Sequence, residues 1–183
     1  MQATRQLRLG AASLLLVAFG AAIVLSQAET IPLPQRRAAA HKLMNEGNWR
    51  DAYDSLKVLI VDADSGGREA SDDLQRAIQC LHRLGRIEES GELLESAVAA
   101  HPADWRVLQA TANQYLSLPH QGFLIAGDYV RGGHRGGGKA MQSLERDRVR
   151  AMQLMTLAMP LADRDDDKQA VSTFYMNLAN QLL

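Results

Sequence analysis

Between Arg131 and Lys139 the chain reads Arg-Gly-Gly-His-Arg-Gly-Gly-Gly-Lys. Gly133, four intervening residues, Gly138 and Lys139 fit GxxxxGK, the spacing at which glycine amides cradle phosphates and the lysine reaches the terminal ones. A nucleotide hydrolase would use Lys139 in that role. The pattern is incomplete. Ala140 stands where Ser or Thr would hold magnesium, and no apolar strand ending in Asp follows downstream. The loop also has two structural readings, as a surface excursion or as glycines that let the backbone pack closely. A further reading is electrostatic. From Arg131 to Arg150 the six cations Arg131, Arg135, Lys139, Arg146, Arg148 and Arg150 outnumber Glu145 and Asp147, a local excess of +4. Arg131, His134, Arg135, Lys139 and Arg146 therefore form a candidate docking face for an acidic protein surface or an anionic envelope polymer.

Other residues of suitable type carry less. Met152, Met155 and Met159 share a helical face, and thioethers bind copper(I), but no His or Cys adjoins them and methionine is a common filler of irregular cores. Asp62 and Asp64 before Gly66-Gly67 resemble the start of a calcium loop, yet Asp73 stands where a bidentate glutamate belongs. Asp163, Asp165 and Asp167 alternate in the same way, with Lys168 in place of the glycine and Phe174 in place of the glutamate; capping of the last helix suits them better. Cys80 is the one cysteine and falls on an apolar helical face, as a small buried hydrophobe does. The sequence thus assigns no catalytic residue, no cofactor and no metal ligand.

The elements that must position the basic loop are helices. Leu74, Ala77, Ile78, Leu81 and Leu84 recur at three- and four-residue steps, Gly85 ends that helix, and Ile87, Gly91, Leu94, Ala97 and Val98 line the inner face of the next, which stops at His101-Pro102. Asp72 with Gln75 caps the first of these two helices, and Asp104 caps a further one carrying Trp105, Leu108, Ala112 and Tyr115. Upstream, Gly47, Trp49, Ala52, Leu56 and Leu59 repeat the spacing of Gly85, Ile87, Ser90, Leu94 and Ala97, with Asn48 as the cap. In this pattern, closed by Pro102, the chain resembles the tetratricopeptide repeat family. The resemblance implies helical hairpins stacked as a solenoid, with an all-α fold.

Composition agrees with a helical class. The 183 residues are 46% apolar but only 5% aromatic, and the net charge of -1 disfavours a nucleic-acid-coating protein. At the start, Arg5 and Arg8 precede an apolar run from Leu9 to Leu25, and Ser26-Gln27-Ala28 is a small-x-small cleavage site. These are the marks of a secretory signal, or of an uncleaved membrane anchor, and they predict an exported protein of the periplasm or envelope. The organisation read from the sequence is a signal over 1–28, a linker over 29–34, helical hairpins over 35–118, an irregular segment over 119–140, and two further helices over 141–183. The helix near 140–161 is expected to be deeply buried in its second half. The last helix presents Phe174, Leu178, Leu182 and Leu183 without a terminal cap, which predicts a continuation or a covering partner.

Between Asp73 and Leu183, the stretches around LQRAIQCLHRLGR, the Gly122 to Lys139 loop and SLERDRVRAMQLM resemble the leading helical region of large bacterial alpha-2-macroglobulin-family proteins. That family traps proteases in the cell envelope, in many members through a thioester at Gly-Cys-x-Glu-Gln. Here Cys80 sits in Gln-Cys-Leu-His. The resemblance therefore implies an exported address and a non-enzymatic scaffold role, with a protein partner or following domains of the same longer chain, and not the trapping chemistry.

Overall fold

The computed structural model describes residues 31–133 and 135–182. The signal over 1–28, His134 and Leu183 lie outside the described residues. Among the described residues seven helices and one small sheet follow in order: α1 Leu33–Asn45, α2 Trp49–Ile60, α3 Gly67–Leu84, a 3-10 turn Ile87–Glu89, α4 Ser90–Ala100, α5 Trp105–Ser117, β1 Gln121–Ile125, β2 Asp128–Arg131, β3 Lys139–Gln142, α6 Leu144–Ala162 and α7 Lys168–Leu182. Each helix packs on its successor or the one after: α2 on α1 and α3, α5 on α3, α4 and α6, and α7 on α6. One apolar core runs through these layers, from Ala40 and Met44 through Leu56, Leu74, Leu81, Leu94 and Leu108 to Leu154, Met155 and Phe174.

Local rules explain the helix ends of the first half. Gly47 and Gly85 both take left-handed backbone, at φ 80° and 66°, where a side chain would be strained. At matched distances beyond these glycines, Ala52 and Ser90, Leu56 and Leu94, and Leu59 and Ala97 are all buried. Asp104 caps α5 as its position predicts, accepting from the amides of Arg106 and Val107. Asn48 makes no such bond at α2.

One boundary and one inner-face residue differ from the sequence reading. Helix α3 begins at Gly67, with Gly66 as its N-cap, rather than beside Asp72. Its added first turn lies against the cap of α5: a Cβ on Gly67 would sit 1.9 Å from Asp104 Oδ2 and would displace that capping carboxylate. Gly91, placed on the inner face of α4 by its spacing, instead faces open space. Ser90 is the buried small residue.

The larger correction concerns the segment from 119 to 140. Helices dominate the fold, but this stretch forms a three-stranded antiparallel sheet of order β2-β1-β3 rather than an irregular loop, so an all-α description is incomplete. Phe123-Leu124-Ile125 and Tyr129-Val130 suit a pleated surface, and Ala126-Gly127 joins them as a two-residue turn with positive φ at both positions, 51° and 99°. Lys139 to Gln142 then pairs with the other edge of β1, Gly122 opposite Met141 and Leu124 opposite Lys139. The sheet is thus an insertion between α5 and α6, two helices packed along each other.

Helix α6 consequently starts at Leu144, after the strand. It buries one face only, through Ala151, Leu154, Met155, Ala158 and Ala162, while Val149 and Leu157 stay 56% and 57% exposed. Its second half is not enclosed as expected. In α7, Phe174 is fully buried and meets Trp105 edge-on at 5.6 Å, whereas Leu182 is exposed.

Candidate functional site

Asp147 lies on α6 four residues before Ala151 and so points with the apolar face into the protein, where it is fully buried. A buried carboxylate requires donors, and the sheet insertion delivers them. Arg131 at the end of β2 makes a two-pronged pair, Nη1 to Oδ2 at 2.8 Å and Nη2 to Oδ1 at 3.0 Å. Ser143 Oγ donates to Oδ2 at 2.7 Å, His120 Nδ1 lies 2.9 Å from the same oxygen, and Arg146 Nη2 is 3.3 Å from Oδ1. Burial alone would raise the pKa of Asp147, but the hydrogen bonds from Arg131, Ser143 and His120 outweigh it and bring it down to about 2. The carboxylate is ionised and saturated.

The same residues tie the sheet to the helices. Arg131 Nη1 also donates to the Pro119 carbonyl at 2.6 Å, the Tyr129 hydroxyl lies 2.9 Å from the His120 carbonyl and 3.0 Å from Ser143 Oγ, and the Ser143 amide donates to the His120 carbonyl. Gly122 sits beneath the Tyr129 ring, where a Cβ would be 2.7 Å from ring carbons. A serine, a histidine and an aspartate meet here, but not in a nucleophile's order: Ser143 and His120 both bind Asp147, on the same oxygen, so the serine does not face the free side of the imidazole.

Beside this hub, α4 and α6 flank a cleft of about 530 Å³. Glu95 on α4 pairs with Arg150 on α6 at 2.9 and 2.5 Å and accepts from the Tyr115 hydroxyl at 2.5 Å. Burial opposes ionisation of Glu95, yet Arg150 and Tyr115 hold its pKa below the ordinary value; Tyr115 is pushed up by burial and by Glu95. Arg146 stacks its guanidinium over the Tyr129 ring, 4.4 Å from the centroid.

The residues expected to dock a partner divide. Arg131 is a correction: its side chain is 3% exposed and committed to Asp147, so it holds the fold rather than facing a partner. Arg135 and Lys139 are exposed and, like Arg148, have no ion-pair partner among the described residues; Arg146 is exposed with Asp147 and Tyr129 beside it. Lys139 opens a strand rather than a helix, and the backbone at Gly138 is left-handed to extended with φ 151°, so the GxxxxGK residues do not form a phosphate-cradling loop at a helix N-terminus. Met155 is fully buried, with Met152 and Met159 half-buried along its flanks. Asp165 accepts from Trp105 Nε1 and Arg106, and Asp167 from the amide of Ala170 as the cap of α7. Cys80 is buried, and burial raises its thiol pKa.

Asp147, Ser143, His120 and Tyr129 escaped the sequence reading. One signal for them existed: Asp147, Ala151, Leu154, Met155 and Ala158 share a helical face, so an acid sits in a core stripe. Among the described residues no helix is long and apolar enough to cross a membrane, and no group of three or more His, Cys, Asp or Glu is placed to hold a metal ion. No protein family, no curated protein and no solved structure matches this chain.

Proposed function

We propose that this chain is a non-enzymatic interaction scaffold of stacked, tetratricopeptide-like helical hairpins that presents the outer face of α6 and the adjoining sheet loop to an acidic protein surface. The observation that carries the proposal is the composition of that face. Exposed Val149 and Leu157 share the outer face of α6 with Arg148 and Glu145, and Arg146 lies on the same helix; Arg148, and Arg135 and Lys139 in the adjoining sheet loop, make no ion pair among the described residues. An apolar patch bordered by an excess of positive charge fits an amphipathic partner with acidic flanks. The paired burial positions behind Gly47 and Gly85 support the hairpin reading. The exported address, from residues 1–28, and the resemblance to alpha-2-macroglobulin-family leading regions belong to the same proposal; they supply an envelope setting in which the partner is a following domain or a separate protein. The nucleotide and copper(I) alternatives lose support from the strand position of Lys139 and the sealed position of Met155.

The test uses the purified full chain and a fluorescent amphipathic helical peptide, leucines on one face and glutamates flanking them, followed by anisotropy. Binding should weaken as salt rises from about 0.05 M to about 0.5 M. It should vanish when Arg135, Lys139, Arg146 and Arg148 are reversed to glutamate, with the helical circular dichroism spectrum kept. Equal binding of the reversed variant, or binding of polyglutamate as tight as that of the amphipathic peptide, would sink the protein-docking reading; the second result would instead indicate a general polyanion surface.

A further inference from the structure

Gly91 lies inside a continuous helical run from Ile87 to Ala100, with no left-handed backbone, and a Cβ added there would meet nothing within 4 Å. Neither geometry nor packing asks for a glycine, although glycine weakens a helix relative to alanine. Its one visible consequence is space. Gly91 lines the cleft of about 530 Å³ between α4 and α6, within the size range of ligand sites.

The charges around that cleft are unevenly matched. Glu95 is neutralised by Arg150, and Asp147 by Arg131. On the α4 rim, Glu88 has no ion pair among the described residues, and Glu92 has only Lys57 at 3.8 Å, both largely exposed. Across the cleft, Arg146 is held in place by stacking on Tyr129, while the carboxylate nearest it already receives both prongs of Arg131. Two acids on one rim therefore face a pre-positioned guanidinium on the other, with the Tyr115 and Tyr129 rings and Val149 in the lining. Such walls complement a ligand that carries both signs a few ångströms apart.

We propose that the α4–α6 cleft binds a peptide segment bearing a basic side chain next to a carboxylate, the cation toward Glu88 and Glu92 and the carboxylate toward Arg146. This site is distinct from the outward face of α6 proposed above for an acidic partner, with Arg146 and Val149 the residues on both. Glu88, Glu92 and Gly91 belong to the cleft alone, so its test does not depend on the docking reading.

The probes are three C-terminally amidated, fluorescent tetrapeptides, Gly-Ala-Arg-Asp, Gly-Ala-Arg-Asn and Gly-Ala-Gln-Asp, titrated with the full chain. The first should bind in the range of about 0.01 to about 1 mM, and each of the others about tenfold more weakly. Gly91→Leu, which fills the cleft without touching the core, should weaken the first probe at least about tenfold while its melting temperature does not fall. Glu88→Gln with Glu92→Gln should erase the preference for Arg over Gln, and Arg146→Gln the preference for Asp over Asn. Equal affinity for all three peptides, unchanged binding by Gly91→Leu, or no binding of any peptide at millimolar protein would overturn the proposal. Gly91→Ala serves as the folding control: it should melt no lower than the parent, so a loss of binding in the leucine variant reports the cleft and not the fold.

Discussion

Two buried aspartates in this protein are each bound to an arginine, and their environments move them in opposite directions. Asp147 on α6 receives both prongs of Arg131, a serine hydroxyl, a histidine ring nitrogen and a more distant Arg146, and its pKa falls to about 2. Asp73 on α3 is equally inaccessible, but Arg37 Nε reaches only Oδ2, at 2.7 Å, and spends its Nη2 on Ser65. Oδ1 of Asp73 has no hydrogen-bond partner among the described residues. His41 Nε2 lies 3.8 Å from it and is likewise without a hydrogen-bond partner among the described residues. Burial therefore dominates and raises the Asp73 pKa despite Arg37, and burial, with Arg76 adding to it, lowers that of His41. The difference teaches that a neighbouring arginine does not by itself stabilise a buried carboxylate. Whether every lone pair finds a donor decides the sign.

The comparison is broken most severely by Asp147→Ala. The change strands Arg131 in the interior and removes the acceptor that ties the sheet to α6, so it should cost about 3 to 5 kcal/mol in urea unfolding at neutral pH. A cost below about 1 kcal/mol would show that the hub is incidental to the fold.

Acid should reveal the next largest effect. The folded pKa of Asp147 is depressed from 3.8 to about 2, so the unfolded chain takes up the proton first as pH falls. Its contribution is fully present above pH 3.8 and is lost as pH drops through about 2, a change of about 2 kcal/mol. Asp147→Asn should forfeit a similar amount at neutral pH and flatten the stability profile over that interval. An unchanged acid limb in this variant would refute the assignment.

The same substitution at the other aspartate sharpens the contrast. Since the environment of Asp73 disfavours its charged form, Asp73→Asn should alter stability by less than about 1 kcal/mol, in either direction. A loss as large as that of Asp147→Asn would contradict the argument from unmatched lone pairs. The smallest effect belongs to His41, which faces Arg37, Arg76 and Asp73. With its folded pKa below 6.5, the unfolded chain binds the proton first, so stability should decline as pH falls from about 7 toward about 5, and His41→Gln should remove that slope. A slope that survives the substitution would place the titrating group elsewhere.

These two sites also mark where the sequence was readable. Asp104 was legible as a helix cap and Gly85 as a helix stop, because both act on amides and carbonyls within a few residues. Asp73 and Asp147 each interrupt an apolar stripe, which signals a buried charge without naming its partner. Arg37 is 36 positions from Asp73 and Arg131 is 16 from Asp147, separations over which no local rule operates. Arg131 accordingly reads as a docking cation, though it is the buried one among the described lysines and arginines.

The sheet divides in the same way. Its first hairpin is only half signalled, since Gly127 marks a turn between two short runs rich in β-branched and aromatic residues but Ala126 is not a residue that favours positive φ. The third strand was not, because Lys139 to Gln142 is exposed throughout and gains its extended form only by pairing with β1. By itself the sequence determined the helical class, most helix ends and the apolar faces, all products of spacing along the chain and of backbone groups satisfied nearby. Only the tertiary structure decided which charges are buried, which glycines leave space and which face of α6 stays open, because each depends on the element that folds against it, and that element is brought there by the packing of the whole stack.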